Sequence, residues 1–252
     1  MQGDFIKLLE EEQEDVTWKS IANNIPKGVL SFALKASTNS LNTPDNLKRW
    51  GKIQLANCAL CGNYCTLEHI LNFCSVAKNQ GRFTWRHNSV LNYLCSELKD
   101  KLPENLQMYS DLDQYSFNGG TIPPDILCTL QRPDLTLIDR SKKKITILEL
   151  TCSFERNINS ANIRKLGKYQ DLKKDIEKNG YSVTLLPFEI GSRGQVTKRN
   201  KTALENIFKI NQIKIKSGPV FKNMSKISLL GSFTVFHAQA QPTWQNPPYL
   251  SP

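Results

Sequence analysis

Four side chains that ligate borderline-soft metals lie within one short stretch, spaced Cys58-x2-Cys61-x7-His69-x4-Cys74. Two cysteines three apart grip one ion from a tight turn, and a following helix can present the histidine and the last cysteine on one side. Three thiolates and an imidazole make a closed tetrahedral set, which fits structural zinc and leaves no position open for catalysis. The chain has 7 cysteines, an odd number, which argues against a disulfide framework. In a reducing compartment, clustered cysteines bind metal more often than they pair. A run of buried free thiols with a satisfied histidine would not need this spacing. Cys65 is then a spare thiol, and zinc holds together a module that buries little apolar surface of its own.

The 33 Lys and Arg outnumber the 23 Asp and Glu, leaving a net charge of +10. An excess of that size points to a polyanionic partner, either nucleic acid or an anionic membrane surface. No apolar run approaches the roughly 18 residues of a membrane span. The acidic start MQGDFIKLLEEEQED lacks the basic and apolar regions of a signal peptide. A soluble intracellular protein without membrane attachment is expected.

Residues 1–15 read as an acidic, frayed end and 18–50 as mostly helical, with Thr43 as an N-cap and Pro44 at the first helical position. An amphipathic helix is expected over 83–100, with Val90, Leu91, Leu94 and Leu98 at helical spacing. The stretch from Lys101 to Pro124 is polar and turn-rich, and the main domain boundary is placed inside it. Leu135–Asp139 and Ile145–Thr151 form an expected hairpin across the basic turn Arg140–Lys143. Residues 156–178 read as one long helix stopped by Asn179-Gly180. Ser182–Ile190 is a returning strand, which implies a parallel crossover. Another helix is expected over 198–210, and the tail beyond it is apolar with a Pro-rich end. The fold class is α/β: a helical linker (1–56), a small zinc module with its following helix (57–115), and a mixed sheet flanked by helices (116–252).

Within Arg132-Pro133-Asp134, Asp134 opens one strand of the hairpin, and Glu149 lies near the end of the other. A turn centred between Ser141 and Lys142 sets the two acids opposite each other, with Cβ atoms about 4.5–5.5 Å apart. Like charges so placed repel, and Glu149 interrupts a strand otherwise suited to burial. Both features make sense if a divalent cation sits between the carboxylates, and oxygen-only ligation suits Mg²⁺ or Mn²⁺. The following helix carries the apolar stripe Ile158, Ala161, Tyr169, Leu172 and Ile176. Lys165 fills the gap in that stripe and Lys168 lies beside it. A lysine there either snorkels to the rim or reaches the carboxylates, and the choice between the two lysines stays open. Acid, acid and lysine around a metal is a set for phosphodiester hydrolysis. The other Pro-Asp pair, Pro124-Asp125, is too far from Glu149 for a tight hairpin.

The order of the Cys/His cluster, then RPD, ELTCSFE and KLGKYQDL, resembles the C-terminal region of non-LTR retrotransposon proteins that carry a restriction-enzyme-like endonuclease of the PD-(D/E)XK kind. The stretch PKGVLSFALKASTNSLNTPDNLKRWG resembles the linker before the zinc knuckle in that family, so the likeness runs from about Trp18 to about Arg199. The resemblance implies a restriction-endonuclease-like sheet and a nuclease that nicks target DNA in the nucleus with Mg²⁺ or Mn²⁺. It also implies a zinc knuckle that grips nucleic acid, with element RNA as a further partner. It carries the metal-binding acids onto Asp134 and Glu149 and the displaced lysine onto Lys165 or Lys168. Thr151 stands where other nucleases of this kind have the lysine. Glu155 matches an acidic position past the strand, and Arg132, Arg86, His87 and Tyr169 fall on the nucleic-acid side. No reverse transcriptase motif is present in the stretch, so RNA copying is not expected. The alternative is a nucleic-acid-binding protein whose nuclease fold is idle.

Overall fold

The computed structural model describes residues 4–12 and 15–252. The N-terminal part is helical: α1 (Asp4–Glu12), a 3-10 segment (Thr17–Asn24), α2 (Lys27–Ser37) and α3 (Pro44–Arg49). A π-helical turn (His69–Phe73), α4 (Ser75–Asn79) and α5 (Arg82–Lys99) follow the cysteine turn. The remainder runs β1 (Leu106–Ser110), β2 (Leu135–Asp139), β3 (Lys144–Ser153), α6 (Ile158–Lys168), α7 (Gln170–Lys178), β4 (Ser182–Gly191), α8 (Lys198–Ile210) and α9 (Ser217–His237). The α/β class read from the sequence is the one observed.

Residues 4–12 are not a frayed end. Phe5 is buried, and the Arg193 guanidinium lies 4.5 Å from its ring centre. The same expectation for residues 1–3 and 13–14 lies outside the described residues. Pro44 does open α3 with Thr43 before it, but the Thr43 hydroxyl turns to the Asp45 carboxylate and caps no backbone N–H.

The sheet has four strands in the order β1-β2-β3-β4. The first two pairings are antiparallel, while β4 returns parallel to β3 after α6 and α7, as the crossover requires. Strand β1 was hidden in the polar stretch, because an edge strand needs apolar residues on one face only. Leu135, Leu137, Leu148, Leu150, Phe188 and Ile190 face a core built with α5, α8 and α9. Ile138, Ile145, Ile147 and Val183 face the other way, under Tyr169 and the α7 residues Leu172 and Ile176. The long helix expected over 156–178 is interrupted: 155–157 form a 3-10 turn, and Tyr169 (φ −106°, ψ 8°) separates α6 from α7. Gly167, the poorest helix former of the segment, precedes the break.

Helix α9 went unrecognised in the apolar tail. It crosses both major cores, with Val220, Phe221, Met224 and Ile227 in the sheet core and Leu229, Val235 and Phe236 among the N-terminal helices. Its small residues allow close approach. The Ser225 and Ser228 hydroxyls donate to the Gly194 and Gly191 carbonyls at 2.5 and 2.8 Å. A Cβ on Gly231 would lie 2.6 Å from Arg86 Cγ. No helix among the described residues is long and apolar enough to cross a membrane.

Candidate functional site

Cys58 and Cys61 sit on a turn closed by hydrogen bonds from Gly62 N to the Cys58 carbonyl at 2.9 Å and from Cys58 N to the Asn63 carbonyl at 2.7 Å. Gly62 takes φ +76°, where a side chain would be strained. His69 and Cys74 are joined by an i to i+5 hydrogen bond of 2.8 Å, the π turn that their spacing demands. The ligand atoms of Cys58, Cys61, His69 and Cys74 all lie within 4.8 Å of one another, the only such group of three or more among the described residues. Cys58 Sγ is 3.8 Å from Cys74 Sγ, and Cys61 Sγ is 3.3 Å from His69 Nε2. Burial lowers the His69 pKa and so favours the neutral imidazole that a metal needs. Cys65 stays outside the group, buried, its thiol pushed up by desolvation. This Cys3His set fits structural zinc.

The module is welded to the sheet. Glu68, next to the ligand His69, accepts from Arg156 Nε at 2.9 Å and from Asn157 at 2.7 Å. Asn72 donates to the Cys152 carbonyl at 2.9 Å, at the end of β3.

That strand carries the second constellation. Leu135 pairs with Leu148 and Ile138 with Ile145, a register that, extended by one residue, sets Asp134 opposite Glu149. Glu149 is only 1% exposed. Its Oε2 accepts from the Asp134 backbone N–H at 3.1 Å, and Oε1 pairs with the Lys165 ammonium. Lys168 is farther, 3.9 Å from the same oxygen, and 54% exposed against 19% for Lys165. Asp134 Oδ2 accepts from the Leu150 N–H at 2.7 Å and lies 3.1 Å from His87 Nε2. Both faces of the sheet therefore contribute at this point, Lys165 from α6 and His87 from α5. Burial and the Asp134 charge together push the Glu149 carboxyl up. Burial would raise Asp134 too, but the charge and hydrogen bond of His87 outweigh it and hold that carboxyl down. The same partnership overcomes desolvation at His87 and lifts it to about 9.

Several residues expected on the nucleic-acid side lie elsewhere. Arg86 is fully buried, donating to Ser232 Oγ at 2.9 Å and to the Cys152 carbonyl at 3.3 Å, so it ties α5 to α9 and β3 and cannot meet a phosphate. Tyr169 is fully buried as well. Its hydroxyl donates to the Arg132 carbonyl at 3.4 Å and accepts from Lys168 at 2.7 Å. His87 faces the acids instead of the surface. Arg132 is half exposed but ion-paired with Asp111 at 2.5 Å. Asp111 follows β1, and its backbone N–H donates to the Asp134 carbonyl at 3.0 Å. It is a third acid near the pair that no hairpin pattern could have signalled. Glu155 is buried and takes two hydrogen bonds from Arg193, at 2.7 and 2.6 Å, away from the acid pair. Asp125 pairs with Arg140 at the surface and is no part of the site.

Residues 4–80 match the model of a family described as zinc-binding in reverse transcriptase. The match takes in all four ligands, so the Cys3His group and the family agree on what this region does. No curated protein matches the chain.

Proposed function

We propose that this chain is a retroelement-derived, metal-dependent DNA endonuclease whose zinc module is built into the same fold. One observation carries the reading. An almost fully buried Glu149 lies in register with Asp134, and the amine of Lys165 reaches Glu149 from the covering helix. Such a placement is costly for a fold that gains nothing from it. Two adjacent carboxylates fit Mg²⁺ or Mn²⁺, which bind through one or two protein carboxylates and complete their shell with water and substrate phosphate. When bound, the cation would supply a Lewis acid for a phosphate oxygen and lower the pKa of a bound water. Asp134 and Glu149 would hold it. Lys165 would neutralise charge gathering on the phosphate, with Lys168 at the rim as a further cation for the DNA backbone. The +10 net charge favours a nucleic-acid substrate, and DNA as substrate implies action in the nucleus.

A specific observation favours a second reading. Lys165 already neutralises Glu149, so the pair is satisfied without metal, as in an idle fold that only binds nucleic acid. Supercoiled plasmid with Mg²⁺ or Mn²⁺ separates the two. Nicking by the wild type and none by Asp134→Ala supports the enzyme. Equal inertness, with both proteins retarding DNA on a gel, supports binding alone.

A further inference from the structure

His87 Nε2 faces two oxygens, Asp134 Oδ2 at 3.1 Å and the Leu150 carbonyl at 3.3 Å. A carbonyl only accepts, so Nε2 carries a hydrogen. On the far side of the ring, Nδ1 meets Asn88 Oδ1 at 2.9 Å, and Asn88 Nδ2 meets the Tyr249 hydroxyl at 3.4 Å. Turning the Asn88 amide over would exchange its donor and acceptor and still leave the Nε2 hydrogen in place. Asp134 Oδ2 thus receives two hydrogen bonds, from His87 and from the Leu150 N–H at 2.7 Å. Among the described residues none reaches Oδ1, and Oδ1 is not one of the buried oxygens without a partner. A carboxylate with one oxygen pinned twice offers the other in a fixed direction.

We propose that His87 is a positioning residue for Asp134, pinning Oδ2 so that Oδ1 is the oxygen presented to a divalent cation, with Asn88 and Tyr249 holding the ring from behind. This deepens the nuclease reading and rests on it. The segment bearing Tyr249 is anchored along α5: Trp85 Nε1 donates to the Pro247 carbonyl at 2.8 Å, and Leu250 N donates to Ser89 Oγ at 3.3 Å. In metal sites, partners of this outer kind orient the ligand, and losing one typically weakens metal binding about 10–100-fold.

The test titrates the zinc-loaded chain, without DNA, with Mn²⁺ by calorimetry, and records imidazole nitrogen–proton spectra, in which only 3 histidines contribute. The expected results are Mn²⁺ binding at least about tenfold weaker in His87→Ala, largely recovered in His87→Gln, whose amide can donate in place of Nε2. A downfield Nε2–H signal from His87 is expected to vanish in Asp134→Asn. Absence of that signal in the wild type, or a His87→Ala protein that holds Mn²⁺ as tightly as the wild type or tighter, overturns the pinning and leaves the nuclease reading standing. A wild type that binds no more Mn²⁺ than Asp134→Asn overturns both. If His87→Ala does not fold, the His87→Gln titration and the signal decide.

Discussion

The zinc group and the acid pair are built on opposite plans. The first takes its four ligands from a single short stretch, closes on itself, and is held by local turns. The second draws Asp134 from the residue before β2, Glu149 from β3, Lys165 from the helix above and His87 from the helix below. A closed group of thiolates and imidazole serves stability, whereas carboxylates flanked by cations are, on the reading proposed above, a place for a ligand that comes and goes. The contrast teaches that the stabilising site can be compact in sequence, while a chemical site has to be assembled from several elements.

The sharpest way to break that contrast is to remove the zinc. Chelation, or Cys74→Ser, is expected to melt the N-terminal core. Structural zinc in small modules contributes on the order of 10 kcal/mol, and Cys58 and Cys74 pack with Phe154, Leu229 and Phe236 in one cluster. Metal analysis should return about one zinc per wild-type chain, and a thermal scan should show the loss. An unchanged melting profile after zinc removal would reject the structural role. Next in size, Glu149→Gln should abolish nicking, by at least about a hundredfold, while melting no lower than the wild type. Burial and the Asp134 charge already push this carboxyl up toward its neutral form, and the amide keeps the volume and an acceptor for the Asp134 N–H. A Glu149→Gln protein that both cuts and melts normally would erase the functional half of the contrast.

Separating the lysines sharpens it further. Lys165→Ala is expected to lower nicking by about 10–100-fold, and Lys168→Ala by only about threefold, because Lys168 stands at 3.9 Å and mostly in water. Equal losses measured on the same plasmid would undo that order. The smallest effect belongs to the join between the two regions. Arg156→Ala should cost about 1 kcal/mol, since its side chain is 43% exposed although Glu68 is buried. That corresponds to a fall of a few degrees in melting temperature.

What could be read from the chain follows the same division. The zinc ligands were legible because spacing alone defines them. The Asp134–Glu149 register was legible because a hairpin ties residues close in sequence, and the Lys165/Lys168 pair because a helix has a fixed period, although the period did not choose between them. The placement of His87 beside Asp134 was not, since it depends on α5 crossing back over a sheet that forms far downstream. Arg86 looked like a surface cation for a related reason: only the arrival of α9, with Gly231 and Ser232 against it, makes that position interior. The α9 periodicity itself, Val220, Met224, Ile227, Gly231 and Val235, was present in the tail but masked by the serines and glycine that let it pack closely. The break at Tyr169 was invisible because the apolar stripe continues through it.

The placement of α9 has a consequence for how the polypeptide acquires its shape. Trp18 finds its hydrogen-bond partner 175 residues away, at the Arg193 carbonyl, and the hydrophobic surface of the first helices is capped by residues beyond 228. Such distant pairing slows folding. On the ribosome the early segments must wait, partly uncovered, until the late helix emerges to bury them, and until then their apolar surface is open to aggregation.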